Sequence, residues 1–395
     1  MKKVSVRDLD LSGKRVFVRV DFNVPLQNGI VADETRIRAS LPTLQAVLRK
    51  GGSPVVASHL GRPKGAPDPA CSLAPVAVRL GALLGAPVRF AADCVGEEAE
   101  LASRNLGPGE VLLLENLRFH PGEEKNDPGF AAKLSRLADA YVNDAFGSSH
   151  RAHASVAALC SHFKPAAAGL LMEREIDYLG GLLAAPARPY VAILGGAKVS
   201  DKVPLVKNLL PRVDAILIGG AMAYTFLAAR KVGVGTSRVE KESFPLAESI
   251  LESAASAGVR LLLPIDHRVA ASLESPGGGE VVSGEAIPEG KLGLDIGPMT
   301  AEVFAREIRS AGTILWNGPV GLFEKTPFDG GSRAVAEAIV ASHALSVAGG
   351  GDTAAALARF GLAGKFRHVS TGGGATLEFL SGATLPGVAA LTDRS

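Results

Sequence analysis

Four short segments combine arginine, histidine and carboxylate or amide side chains. They are Arg19-Val20-Asp21-Phe22-Asn23, His59-Leu60-Gly61-Arg62, Glu115-Asn116-Leu117-Arg118 and Asn143-Asp144-Ala145-Phe146-Gly147, the last followed by His150-Arg151-Ala152-His153. Guanidinium forks match phosphate and carboxylate oxygens two at a time, so converging arginines suit a small, multiply charged anion. The candidate set is Arg36, Arg62, Arg118 and Arg151, with His59, Asp21 and Asn23 as hydrogen-bonding partners. A single arginine in such a place is ordinarily a solvated surface group. The same bias in four segments is what selects these.

The second half presents glycine instead. Gly195-Gly196-Ala197-Lys198, Gly219-Gly220, Asn317-Gly318-Pro319-Val320-Gly321, Gly349-Gly350-Gly351-Asp352-Thr353 and Gly372-Gly373-Gly374 each follow a short apolar run. Each triplet precedes a helix-forming stretch and reads either as a tight turn or as a loop that lets phosphate approach free helix N–H groups. Asp352 reads as an N-cap or as a ligand of Mg²⁺, which favours one or two carboxylates plus phosphate oxygens. Lys198 and Lys202 are four apart and share a face if the segment is helical. They suit the β- and γ-phosphates of a nucleotide, or are simply solvated. No Gly-x-x-x-x-Gly-Lys-Ser/Thr loop and no Gly-x-Gly-x-x-Gly after a first strand occur, which disfavours a P-loop protein and a nicotinamide-dependent oxidoreductase.

Strand and helix patterns place these segments. Short apolar runs at 16–20, 55–58, 88–90, 111–114 and 140–143 predict strands in the first half. Runs at 191–194, 215–218, 260–264, 313–316, 345–348 and 368–370 predict them in the second. Helical stretches at 36–49, 73–84, 130–138, 246–257, 300–309 and 332–342 lie between them. Runs apolar on both faces, alternating with helices, mean parallel sheets covered by helices. The expected fold is therefore α/β: two doubly wound, parallel-sheet (Rossmann-like) domains. In such sheets ligands bind at the carboxyl ends of the strands, where the arginines and glycines fall. A helix at 172–183 ends in Ala184-Ala185-Pro186-Ala187-Arg188-Pro189, where proline breaks it, and reads as a hinge.

Bulk properties exclude other classes. The chain has 395 residues and a net charge of +2. Residues 1–185 hold 22 basic and 20 acidic side chains, and residues 186–395 hold 20 of each, so neither half is built to coat nucleic acid or an anionic membrane. The longest uncharged stretch, 215–229, is 15 residues and contains Gly219-Gly220, short of the ~20 a membrane span needs. No apolar run follows the charged N-terminus, so no signal peptide is expected. Cys71, Cys94 and Cys160 have no metal-type spacing and read as idle thiols in a reducing cytoplasm.

Taken together, Phe17-Val18-Arg19-Val20-Asp21-Phe22-Asn23-Val24-Pro25, Ser58-His59-Leu60-Gly61-Arg62-Pro63, Glu115-Asn116-Leu117-Arg118-Phe119, the 194–202 segment, Trp316-Asn317-Gly318-Pro319-Val320-Gly321 and 349–353 resemble the phosphoglycerate kinase family, in order and nearly end to end. The resemblance implies reversible, Mg²⁺-dependent phosphoryl transfer between 1,3-bisphosphoglycerate and ADP, giving 3-phosphoglycerate and ATP. It implies 3-phosphoglycerate binding by Asp21, Phe22, Asn23, Arg36, His59, Leu60, Gly61, Arg62, Arg118 and Arg151 in a domain spanning 1–171. It implies Mg-nucleotide binding by Lys198, Lys202, Gly293, Asn317, Glu324, Gly350, Gly351, Asp352 and Thr353 in a domain spanning 188–384, with Asp352 as metal ligand. Arg36, Lys198, Gly373 and Gly374 would act on the transferring group. A hinge at 172–187, a ligand cleft between the domains, residues 385–395 packed back on the first domain, and a cytoplasmic monomer complete the expectation. Pro264-Ile265-Asp266-His267-Arg268 departs from the family, and 275–284 reads as a variable loop.

Overall fold

The computed structural model describes residues 2–274 and 279–394, which divide into two compact units, Met1–Asp177 with Thr384–Ser395, and Tyr178–Ala383. The first unit holds six parallel strands in the order Val88–Ala91, Val111–Leu114, Ser53–Ala57, Arg15–Arg19, Ala140–Asn143 and Ala166–Ala168. Register is set by pairs such as Phe17 with Val55 on one side and with Tyr141 on the other. Central strands buried on both faces need helices on both, which is why Val16, Val18, Val56 and Val142 share one core with Ile37, Leu44 and Val47. Those last three lie on the helix Thr35–Arg49, whose buried positions Ile37, Ser40, Leu44 and Val47 recur at helical spacing.

The second unit repeats the plan, with strands in the order Arg260–Leu262, Ala215–Ile218, Tyr190–Leu194, Thr313–Asn317, Leu345–Gly349 and His368–Val369. Trp316, Phe304, Ile308, Val335 and Ile339 fill its core. Two parallel-sheet α/β units are thus present. The helix Leu170–Ala184 carries the division between them within its length. Asp144 holds its start by accepting from the Leu171 amide at 2.9 Å. The C-terminal segment lies with the first unit: Val4 N–H donates to Thr392 O at 2.9 Å, and Lys3 Nζ is 2.8 Å from Asp393.

Several expectations need correction. Ala166–Ala168 is a strand that three alanines do not announce; its pairing with Ala140–Asn143 creates it. The strand expected over 260–264 ends at Leu262. Asp266–Ala270 then runs as the centre of a separate antiparallel sheet between Glu280–Ser283 and Leu292–Ile296. Part of the expected loop is a strand, Glu280–Ser283, and residues 275–278 lie outside the described residues. Asp266 itself opens the helix Pro298–Ser310, accepting from Thr300 N at 2.7 Å and Met299 N at 2.9 Å. The segment between Lys198 and Lys202 is no α-helix. Ser200–Lys202 is a 3₁₀ turn, and the helix begins at Val203. Among the described residues, no helix is long and apolar enough to cross a membrane.

Candidate functional site

In the first unit the arginine-bearing segments all follow strand ends. Arg36 stands in the first turn of Thr35–Arg49, half-exposed, with Nη1 2.9 Å from Asp21 Oδ1. Asp21 Oδ1 also accepts from the Asn23 amide at 3.2 Å. Asn23 Oδ1 accepts from the Gly61 amide at 2.9 Å, and Arg118 Nη1 donates to Gly61 O at 2.8 Å. One chain of hydrogen bonds therefore runs from Arg36 through Asp21, Asn23 and Gly61 to Arg118, across three strand ends. Phe22 and Leu60 are buried beneath it, the Phe22 amide donating to Ser58 Oγ at 2.8 Å. Arg62 and Arg151 are exposed.

His59 is buried at the centre. Burial, then the charges of Arg19, Arg118 and Arg36, hold its imidazole well below the usual histidine range, so at neutral pH it is an uncharged hydrogen-bonding group. Burial and the neighbouring charges of Arg19, Arg118 and Arg151 push His153 down to about 4. The same cationic field reaching both rings places these arginines around one spot. Burial also lowers Arg118, whose Nε lies 3.1 Å from Glu124 without hydrogen-bond alignment.

Sequence reasoning assigned no role to the network underneath. Arg19 closes the strand Arg15–Arg19 after the apolar run Val16-Phe17-Val18 and is wholly buried. It donates to Val20 O and, at 2.7 Å, to Ser155 Oγ, and its Nη2 is 3.3 Å from His59 Nδ1. Glu123 balances it from 3.9 Å. The available signal was a charged residue closing the run Val16-Phe17-Val18; its partner, about 100 residues away, was invisible.

In the second unit the strand-end glycines divide into two kinds. A Cβ on Gly195 would lie 2.1 Å from Pro319 O, and one on Gly220 would lie 2.7 Å from the Gly196 amide. These glycines let three strand-end loops pack backbone to backbone. Gly351 and Gly373, by contrast, face open space, and Gly350 and Gly373 have φ of 96° and 53°. They open the helices Gly351–Arg359 and Gly374–Leu380. Asn317 is buried, donates to Gly349 O at 2.9 Å, and accepts from Lys202 Nζ. Thr353 Oγ1 accepts from the Gly318 amide at 2.7 Å. Burial lowers Lys202 while Asp201 and Asp352 raise it, so Asp352, exposed in the first turn of its helix, lies within electrostatic reach of Lys202. Lys198 and Glu324 are exposed. Gly293 is buried in a strand, where the Tyr224 ring occupies the space a side chain would need.

Arginines at the strand ends of one parallel sheet, and open glycine-headed helices with lysine and aspartate on another, define an α/β phosphotransferase. The phosphoglycerate kinase profile matches residues 6–383, and the chain belongs to that family. Phosphoglycerate kinases from Moorella thermoacetica and Solibacter usitatus are 54% and 56% identical to it, covering 100% and 99% of this chain and 100% of each relative. The solved phosphoglycerate kinase of Coxiella burnetii matches with a TM-score of 0.89 at 40% identity, and that of Pyrococcus horikoshii with 0.86 at 32%, each covering 98% of both chains. Members of this family are glycolytic kinases that move a phosphoryl group between 1,3-bisphosphoglycerate and ADP.

Proposed function

We propose that the first unit binds 3-phosphoglycerate or its acyl phosphate through Arg36, Arg62, Arg118, Arg151, His59, Asp21 and Asn23, and that the second binds ATP or ADP through Lys198, Lys202, Asn317, Glu324, Gly293 and 350–353. The observation that carries this reading is the arginine field around an uncharged His59. Among the described residues, Asp21 and Glu124 are the carboxylates paired with the outer arginines, which leaves positive charge for an anion.

No general base is required, because the acceptor oxygen is a carboxylate or phosphate already ionised at pH 7. Rate enhancement then comes from alignment and from neutralising the transferring group. Arg36 is suited to this: it is held at one end by Asp21 yet half-exposed. Lys198 and the N–H groups headed by Gly373 and Gly374 supply further donors. Asp352 fits Mg²⁺, being an exposed carboxylate beside the open space at Gly351. When bound there with nucleotide, the ion neutralises phosphate oxygens.

The chain is taken to act as a cytoplasmic monomer, in keeping with its free cysteines, and sedimentation velocity tests the monomer. The decisive measurement is a coupled assay for ATP-dependent phosphorylation of 3-phosphoglycerate, with and without Mg²⁺. Absence of acyl phosphate formation sinks the reading.

A further inference from the structure

The loop after the strand Val88–Ala91 brings Asp93 and Cys94 against His120, which follows the turn Leu117–Phe119 and lies two residues beyond Arg118. One donor atom from each of the three side chains lies within 4.8 Å of the other two. Cys94 is buried, whereas the side chains of Asp93 and His120 are 47% and 32% exposed. Asp93 and His120 also line a cavity of about 430 Å³, together with Asp68, Ser72 and Glu115.

The bonding within the triad is unusual. His120 Nε2 is 2.6 Å from Asp93 Oδ1. The same carboxylate accepts from the amides of Cys94 at 2.6 Å and Val95 at 3.3 Å, which anchors it. Phe130 stacks on His120 at 5.3 Å and orients the ring. An imidazole held on an anchored carboxylate, with a buried thiol sulfur within 4.8 Å of both, gathers three metal-type donors around one point.

We propose that Asp93, Cys94 and His120 form a binding site for a zinc-class divalent cation, with its fourth position open to the adjoining cavity. Sulfur and imidazole donors select such ions over Mg²⁺ and Ca²⁺, so this site differs in kind from a phosphate-bound Mg²⁺ at Asp352. Bonds of ~2.0–2.3 Å in a tetrahedron put neighbouring donors about 3.5 Å apart. The Asp93–His120 contact therefore opens and the widest separation closes, both by side-chain rotation. On binding, the Cys94 S–H bond is replaced by an S–metal bond and its proton passes to buffer. His120 supplies a ring-nitrogen lone pair, and no electron transfer is involved.

The test is a Co²⁺ titration of the chelator-treated full chain, followed by Zn²⁺ displacement. A single equivalent should bind, with the near-ultraviolet charge-transfer band of thiolate–cobalt ligation, and Zn²⁺ should abolish the band. Cys94→Ala should abolish it too and weaken binding by more than the ~10–100-fold typical of losing a residue that only hydrogen-bonds to a metal ligand. His120→Gln, at a partly exposed position, should weaken binding to a similar degree if Cys94→Ala fails to fold. Cys71→Ala should change nothing. Binding without the band, or a band that survives Cys94→Ala or disappears equally in Cys71→Ala, overturns the proposal.

Discussion

Arg19 and Glu123 are both fully shielded from solvent and sit 3.9 Å apart, bridged by the Ser155 hydroxyl, which accepts from Arg19 Nε and donates to Glu123 Oε1. Glu123 also accepts from the Ser155 amide at 2.9 Å. Arg19 is thus consumed internally. Its Nη2, 3.3 Å from Nδ1 of His59, orients that ring.

Breaking that pair should be costly, because a buried guanidinium would lose its counter-charge. Glu123→Gln is expected to lower stability by about 3–5 kcal/mol, read from the midpoint of urea denaturation. A loss within ~0.5 kcal/mol would show that water or Ser155 alone satisfies Arg19.

Arg36 has one end tied to Asp21 and the rest free. If it neutralises charge chiefly as the phosphoryl group moves, Arg36→Ala should lower kcat about 10²–10³-fold and raise KM far less. An unchanged kcat with a higher KM would make it a ground-state ligand instead.

Asp352 separates the two ligands experimentally. Asp352→Ala should weaken Mg-nucleotide binding and leave 3-phosphoglycerate binding nearly intact, as measured by calorimetry on each ligand alone. Equal loss for both would mean that the residue supports the fold rather than the metal.

Asp144 gives a pH dependence. Burial, opposed by bonds from Thr43 and the Met172 and Leu171 amides, raises its carboxyl from 3.8 to about 7. A raised carboxyl stabilises the fold most below its unfolded value, and that contribution fades as pH climbs through about 7. The span corresponds to roughly 4 kcal/mol. Unfolding measurements from pH 4 to 8 should show this decline in the parent chain and a flatter profile in Asp144→Asn. Parallel profiles would place the titration elsewhere, Asp295, raised to about 8, being the next group to examine.

The sequence by itself determined the two parallel-sheet units, since runs such as Val16–Val18 and Val191–Leu194 are apolar on both faces and demand helices on each side. It also marked the strand ends, where arginine recurs in one half and glycine in the other. Tertiary structure alone decided what those residues do. Gly195 and Gly351 look alike in the chain, yet one is filled by Pro319 and the other faces open space. Arg19 closes one strand and Arg118 follows another, yet one is paired in the interior and the other reaches Gly61. Ala166–Ala168 and Asp266–Ala270 became strands only through their neighbours. Periodicity reports which face of an element is buried. The partner of a buried charge, or of an unpaired amide, is set by distances through space between segments far apart in the chain.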